Sequence, residues 1–258
     1  MKKTIINYNQ AVRFIESLSN TAASQKGRDV EIIKERLRNV KRFLKFLGNP
    51  EKKLKIIHIA GTSGKGSVVA MLHSILQADN KKVGSYTSPH TTTYCERIKV
   101  GDKYISEKEL IDAVNFLKDR MDEYMQRDAN ISNYTRMPRK NTRIESHSSR
   151  HSCAFAFFES RLSLNFFEFS FCLAIYYFAK QHCEYAVIET GCGGRYDASN
   201  AIKKPVYTII TNIGPDHLDI FGNLKNIANE KAGIIKSGVP LLTGETDKRW
   251  INMFKKEL

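Results

Sequence analysis

Residues 55–67 read KIIHIAGTSGKGS, and their order decides the fold. The β-branched run KIIHIA ends at a glycine-rich turn, and Val68, Val69, Leu72, Ile75 and Leu76 then recur at helical spacing. Strand, glycine turn and helix open an α/β unit. In that setting Gly61-Thr62-Ser63-Gly64-Lys65-Gly66-Ser67 reads as a phosphate loop. Its glycines let backbone N–H groups face phosphate oxygens, the helix N-terminus adds a favourable partial charge, and Lys65 reaches the β- and γ-phosphates. The loop is a variant of the common form, because Gly66 directly follows the lysine and the hydroxyl comes one place later, on Ser67.

Toward the C-terminus, KVGSYT (82–87) reads as a second strand, followed by an irregular stretch, 88–96, and a hairpin, RIKV-GD-KYIS, turning at Gly101-Asp102. Ser106 and Glu109 have the spacing of a capping box that opens a helix to about residue 125. Residues 127–162 are rich in Ser, Asn and Arg and keep no period, so they are expected to form a disordered basic insertion. Phe166 to Lys180 reads as a buried helix. EYAVIET (184–190), PVYTIITNI (205–213) and VPLLTG (239–244) read as strands, with helical patterns around 216–221 and 223–235. On the N-terminal side, Ile33, Leu37, Val40, Leu44 and Leu47 form one helical stripe that stops at Gly48-Asn49-Pro50, giving a helical segment over residues 1–54. The alternation over 55–258 predicts an α/β domain with a doubly wound, mostly parallel sheet whose ligands gather at the C-terminal ends of the strands.

Composition narrows the classes. The chain has 258 residues, 41% of them hydrophobic, which is enough for a real core and too apolar for a wholly disordered chain. The most apolar run, Phe166 to Ala179, is interrupted by Glu168 and Ser170 and is too short to span a bilayer. The N-terminus lacks the apolar stretch of a signal peptide. Five cysteines without a C-x-x-C pair fit neither a disulfide framework nor a zinc site, so the expectation is reduced thiols in the cytoplasm. The net charge of +14 is concentrated in two segments: residues 1–55 hold 14 basic and 5 acidic groups, and 127–161 hold 7 and 3. A solvated lysine-rich face accounts for this, and no aromatic-interleaved basic motif supports a nucleic-acid partner.

Five blocks of sequence, HIAGTSGKGS (58–67), TSPH (87–90) with ERI (96–98), ETGCGGRYDASN (189–200), TNIGPDH (211–217) and NEKAGIIKSGVP (229–240), resemble in wording and order the motifs of the folylpolyglutamate synthase/dihydrofolate synthase family of the Mur ligase superfamily. The resemblance implies a Mur-ligase-type sheet with a phosphate loop. It also implies an ATP-dependent carboxylate–amine ligase of folate biosynthesis, in which the carboxylate of dihydropteroate or a folate attacks ATP and the resulting acyl phosphate is taken by L-glutamate. Such a reaction needs no protein nucleophile, only positioning and charge stabilisation.

By the same resemblance Gly61, Thr62, Gly64, Lys65, Gly66 and Ser67 hold ATP, and Ser88, Glu189 and His217 hold Mg2+. Lys65, Lys231 and His217 serve catalysis, Lys231 being the position that the family carbamylates. His90, Arg97, Glu168, Arg195 and Asp197 face the pteroate or folate substrate. Independently of the resemblance, a carboxylate closing the apolar strand VIET, as Glu189 does, is costly unless it is paired or metal-bound. Cys192, with no base implied beside it, reads as packing. The family continues past the GVP strand into a glutamate-ligase domain that these 258 residues are not expected to contain. The chain is therefore expected to be a monomer or to meet a partner chain supplying that domain. Two other readings stand beside this one: a non-catalytic ATP- or pterin-binding remnant, and a Mur-type ligase acting on another carboxylate.

Overall fold

The structure, a computed structural model, describes residues 4–18, 30–134 and 164–258. Its frame is a sheet of β1 (Lys55–Ala60), β2 (Val83–Tyr86), β3 (Ile98–Val100), β4 (Lys103–Tyr104), β5 (Tyr185–Glu189), β6 (Tyr207–Ile210) and β7 (Leu241–Thr243), in the order β4-β3-β2-β5-β1-β6-β7. β2, β5, β1, β6 and β7 run parallel, and β3 and β4 add the expected hairpin in antiparallel sense. Chain order reverses beside β1, whose neighbours β5 and β6 lie on opposite sides, and such a switch point opens a crevice beyond the strand ends. The register keeps those ends level: Ile59 faces Glu189 across one side and Ile209 across the other.

Period-2 alternation sorts the strand residues onto two faces. Ile57 and Ile59 join Val83, Val187 and Ile209 on one face, covered by Val69 and its neighbours on α3 (Lys65–Ala78). The opposite face packs Ile56, Tyr86, Ala186 and Ile188 into the largest cluster. There the covering layer is built from α1 (Tyr8–Ser17), α2 (Val30–Phe46), α4 (Glu107–Tyr134) and α5 (Phe166–Lys180). α5 is apolar nearly all round because it lies between the sheet and the outer helices, with Phe169, Phe171 and Phe178 buried. Gly84 on β2 permits its close approach, since a Cβ there would come within 2.4 Å of the Phe178 ring. Ala60 and Ile210 meet a smaller cluster with Ala232 of α7 (Leu224–Ala232) and Phe254 of α8 (Lys248–Lys255), while α6 (Leu218–Phe221) is a single exposed turn.

The Ser106/Glu109 capping box forms, with reciprocal bonds of 3.0 and 3.3 Å. α4, however, runs to Tyr134, so the first eight residues of the expected disordered insertion are helical. The apolar stripe ends near residue 125, but the Glu123–Arg127 pair at 2.6 Å continues the i, i+4 spacing. The remainder of that insertion, 135–162, lies outside the described residues. β6 ends at Ile210, short of residue 213, because Thr211 and Asn212 turn aside to bond the phosphate loop. Among the described residues no helix is long and apolar enough to cross a membrane, and Cys95, Cys172, Cys183 and Cys192 are free thiols.

Candidate active site

Gly61 leaves β1 with φ of +151°, and a Cβ there would lie 1.8 Å from Thr211 Oγ1, so only glycine lets the chain pass under β6. Gly64 is left-handed at φ 77° and caps α3, whose first residue is Lys65. The loop is fastened from the β6 side. Thr62 Oγ1 donates to the Gly214 carbonyl and accepts from its N–H, both at 3.0 Å. Ser63 N–H donates to Asn212 Oδ1 at 3.0 Å, and Asn212 Nδ2 returns a bond to Ser63 Oγ at 2.8 Å. Lys65 Nζ folds back on the Gly61 carbonyl at 3.1 Å and lies 3.9 Å from Glu189 Oε1. Lys231, only 1% exposed, reaches from α7 to the same Gly61 carbonyl at 2.8 Å and to Asp216 Oδ2 at 3.3 Å. Burial lowers its pKa, and Asp216 partly offsets the shift.

Glu189 ends β5 almost wholly buried, accepting from the Ser88 N–H at 3.2 Å. Burial raises its pKa against the pull of that N–H and of Lys65. Gly66 passes close by, a Cβ there lying 3.7 Å from Glu189 Oε2. His217 is left-handed at φ 48°, caps α6, and lies 3.4 Å from Asp216. Among the described residues no group of three His, Cys, Asp or Glu side chains converges to hold a metal. A buried carboxylate with one N–H donor and an adjacent serine does offer an oxygen edge that suits a hard cation completed by phosphate oxygens.

Facing the phosphate loop across a cleft of about 450 Å³ are Ser88, Arg97, Phe167, Glu168, Tyr196 and Asp197, with Ile33 and Arg36 of α2. Arg97, 4% exposed, lies over the Tyr94 and Phe166 rings, donates from Nε to His90 Nδ1 at 2.8 Å and leaves Nη1 without a partner. Glu96 shapes that segment by accepting from the N–H groups of Thr91, Thr92 and Thr93, which depress its pKa to about 2. Glu168 closes a capping box with Asn165, and burial pushes its pKa up to about 7. Asp197 accepts from Gly191, Cys192 and Ser199.

Residues 157–257 match the Mur ligase middle domain. The chain is 35% identical over 227 residues to the dihydrofolate synthase/folylpolyglutamate synthase of Bacillus subtilis, covering 87% of this chain and 45% of that protein. It is 33% identical over 225 residues to the dihydrofolate synthetase of Saccharomyces cerevisiae, covering 85% and 44%. The chain is similar to the folylpolyglutamate synthase/dihydrofolate synthase family. It spans about half the length of the curated relatives it matches. The apo form of L. casei FPGS superposes with a TM-score of 0.76 at 28% identity, over 98% of this chain and 52% of that one. An FPGS–AMPPCP–folate complex gives 0.77 at 29% identity, over 98% and 52%.

In the structure, the residues read from the sequence divide in three. Thr62, Lys65, Ser88, Arg97, Glu168, Asp197 and His217 line the cleft. Gly61, Gly66, Glu189, Lys231 and His90 stand behind it and shape or charge it, while Gly64 and Ser67 are exposed at the start of α3. Arg195 is not brought in. Its guanidinium turns to the Asn229 carbonyl at 3.2 Å and Glu257 at 2.6 Å, because Gly233 packs against its Cα and Cβ and directs the side chain toward α8. The sequence reading missed Ile33, Arg36 and Phe167. Phe167 carried one signal, the second ring of a Phe-Phe pair at a helix entry, and in the structure it is 53% exposed beside a Phe166 that faces Arg97.

Proposed function

We propose that the chain is the nucleotide-binding part of an ATP-dependent ligase that joins L-glutamate to the carboxylate of dihydropteroate or a folate. One observation carries the reading: a single cleft has the phosphate loop with Lys65 as one wall and, as the other, Arg97, Phe167, Glu168 and Asp197, a surface suited to a flat ring with polar edges. The substrate carboxylate attacks the γ-phosphorus of ATP, ADP leaves, and an acyl phosphate forms. The glutamate amine then attacks the acyl carbon and phosphate departs.

Lys65 neutralises charge on the phosphoryl group in flight, and the loop N–H groups fix the donor. Glu189 and Ser88 would hold Mg2+, which supplies further charge neutralisation when bound. His217, beside Asp216 at the cleft, faces the incoming groups. Lys231 ties the loop to α7. Its lowered pKa favours the free amine that adds CO2 to form a carbamate with release of a proton, and a 13C-bicarbonate NMR signal lost in Lys231→Arg tests that role.

The decisive experiment measures ATP binding and Mg2+-dependent phosphate release with dihydropteroate or tetrahydrofolate and L-glutamate, singly and together. Release that needs both substrates and is lost in Lys65→Ala supports the ligase. ATP binding without release supports a nucleotide-binding role alone. ATP affinity unchanged by Lys65→Ala would sink the reading of the loop.

A further inference from the structure

His58 sits mid-strand in β1, is fully buried, and lies outside the cleft. An imidazole among isoleucines costs stability unless its polar atoms are used. One is: Nε2 lies 2.7 Å from Ser199 Oγ, 141 residues away in sequence, while Nδ1 has no partner. The Ser199 hydroxyl in turn donates to Asp197 Oδ1. That oxygen also accepts the Ser199 N–H at 2.9 Å, and Oδ2 accepts the N–H groups of Gly191 at 3.0 Å and Cys192 at 3.3 Å.

Burial raises the Asp197 pKa, and the four donors on its carboxylate work against that rise. Ser199 has a single hydroxyl proton, and it is committed to Asp197, so its oxygen accepts from His58. The ring therefore carries its hydrogen on Nε2 and leaves Nδ1 bare. Burial holds the His58 pKa at about 3, so the ring stays neutral.

We propose that His58 is a positioning residue for the acyl-substrate wall, acting through Ser199 to aim the Asp197 carboxylate that holds the Gly191–Cys192 turn at the cleft. The hydrogen bonds stand on the geometry alone, and their link to substrate rests on the function proposed above. No residue of the phosphate loop belongs to this chain of bonds, so its loss acts on one wall only.

The test uses His58→Leu, which removes the donor, and His58→Gln, whose amide restores one near the Nε2 position. Dihydropteroate affinity is expected to fall about tenfold in His58→Leu, the loss of one buried hydrogen bond, and to recover in His58→Gln. Affinity for a non-hydrolysable ATP analogue stays within about twofold in both. By NMR the wild-type ring shows the Nε2–H tautomer, and the Gly191 and Cys192 amide signals shift in His58→Leu and return in His58→Gln. An Nδ1–H tautomer, or unmoved Gly191 and Cys192 signals, overturns the proposal, as does an equal loss of both ligands in both variants. If wild-type protein binds the ATP analogue but not dihydropteroate, the proposed substrate fails, while the tautomer and amide signals still judge the role of His58. Should His58→Leu not fold, Ser199→Ala carries the same test.

Discussion

On the phosphate side of the cleft the chain is fastened by neutral side chains and an ammonium: Thr62 to Gly214, Ser63 to Asn212, and Lys231 to Gly61. On the acyl side the fasteners are carboxylates. Glu96 gathers the 91–93 amides, Glu168 caps α5, and Asp197 holds the 191–192 turn. A wall built to meet polyphosphate, as proposed, would lose affinity to every nearby carboxylate, and the groups that bond the loop directly carry no negative charge, Asp216 standing one step behind Lys231. A wall built to meet a ring with N–H edges, as proposed, would have no such conflict, and carboxylates can hold several backbone N–H groups at once. Glu189 lies at the seam, with Lys65 on one side and Ser88 on the other. Charge and pH therefore act differently on the two walls.

Lys65→Ala strikes the phosphate wall hardest: ATP affinity is expected to fall about 100-fold or more, roughly 3 kcal/mol, with dihydropteroate binding retained, as calorimetry would read. Gly61→Ala follows. The clash with Thr211 and the φ of +151° should cost about 2–3 kcal/mol, seen as weaker ATP binding and a lower Tm.

On the acyl wall the folded state keeps the Glu168 proton up to about pH 7, whereas an unfolded glutamate releases it near 4.5. The folded state thus binds more protons between those values, and stability falls as pH rises through that window. Glu168→Gln keeps the capping geometry and removes the fall. In urea titrations it should exceed wild type by about 1–3 kcal/mol at pH 8 and match it near pH 4. The smallest effect is expected from Tyr8→Phe. It deletes the hydroxyl that bonds Thr93 at 2.7 Å and the Tyr94 N–H at 2.9 Å, for about 1 kcal/mol of stability, with ATP binding untouched. If ATP affinity followed Glu168 or Tyr8, the two walls would not be separable.

How much of this was legible in the sequence depended on range. Strand order along the chain, the glycine turn between β1 and α3, the hairpin at Gly101-Asp102 and the capping box at Ser106 are written in neighbouring residues, and each formed as read. What hydropathy does not encode is which side chain crosses to which loop. Arg195 stood in the right motif, yet its direction was set by Gly233 and Glu257, tens of residues away. Arg36 lies on the polar face of an amphipathic helix, where nothing local separates a cleft residue from a solvated one. His58 read as one residue of a strand, and its partner is defined only once β1 and the Asp197 loop meet. α4 outran its apolar stripe because ion pairing sustains a helix after burial stops.

β1 lies between β5 and β6, and the phosphate loop is its direct continuation. Amides in such a strand exchange with solvent only when the sheet opens as a whole, so those of Ile57, His58 and Ile59 should be among the slowest in the molecule. Nucleotide held by the loop stabilises the folded state against that same opening, by about 2.7 kcal/mol at a free concentration 100 times its Kd. Deuterium uptake deep in the sheet would therefore report how full the cleft is.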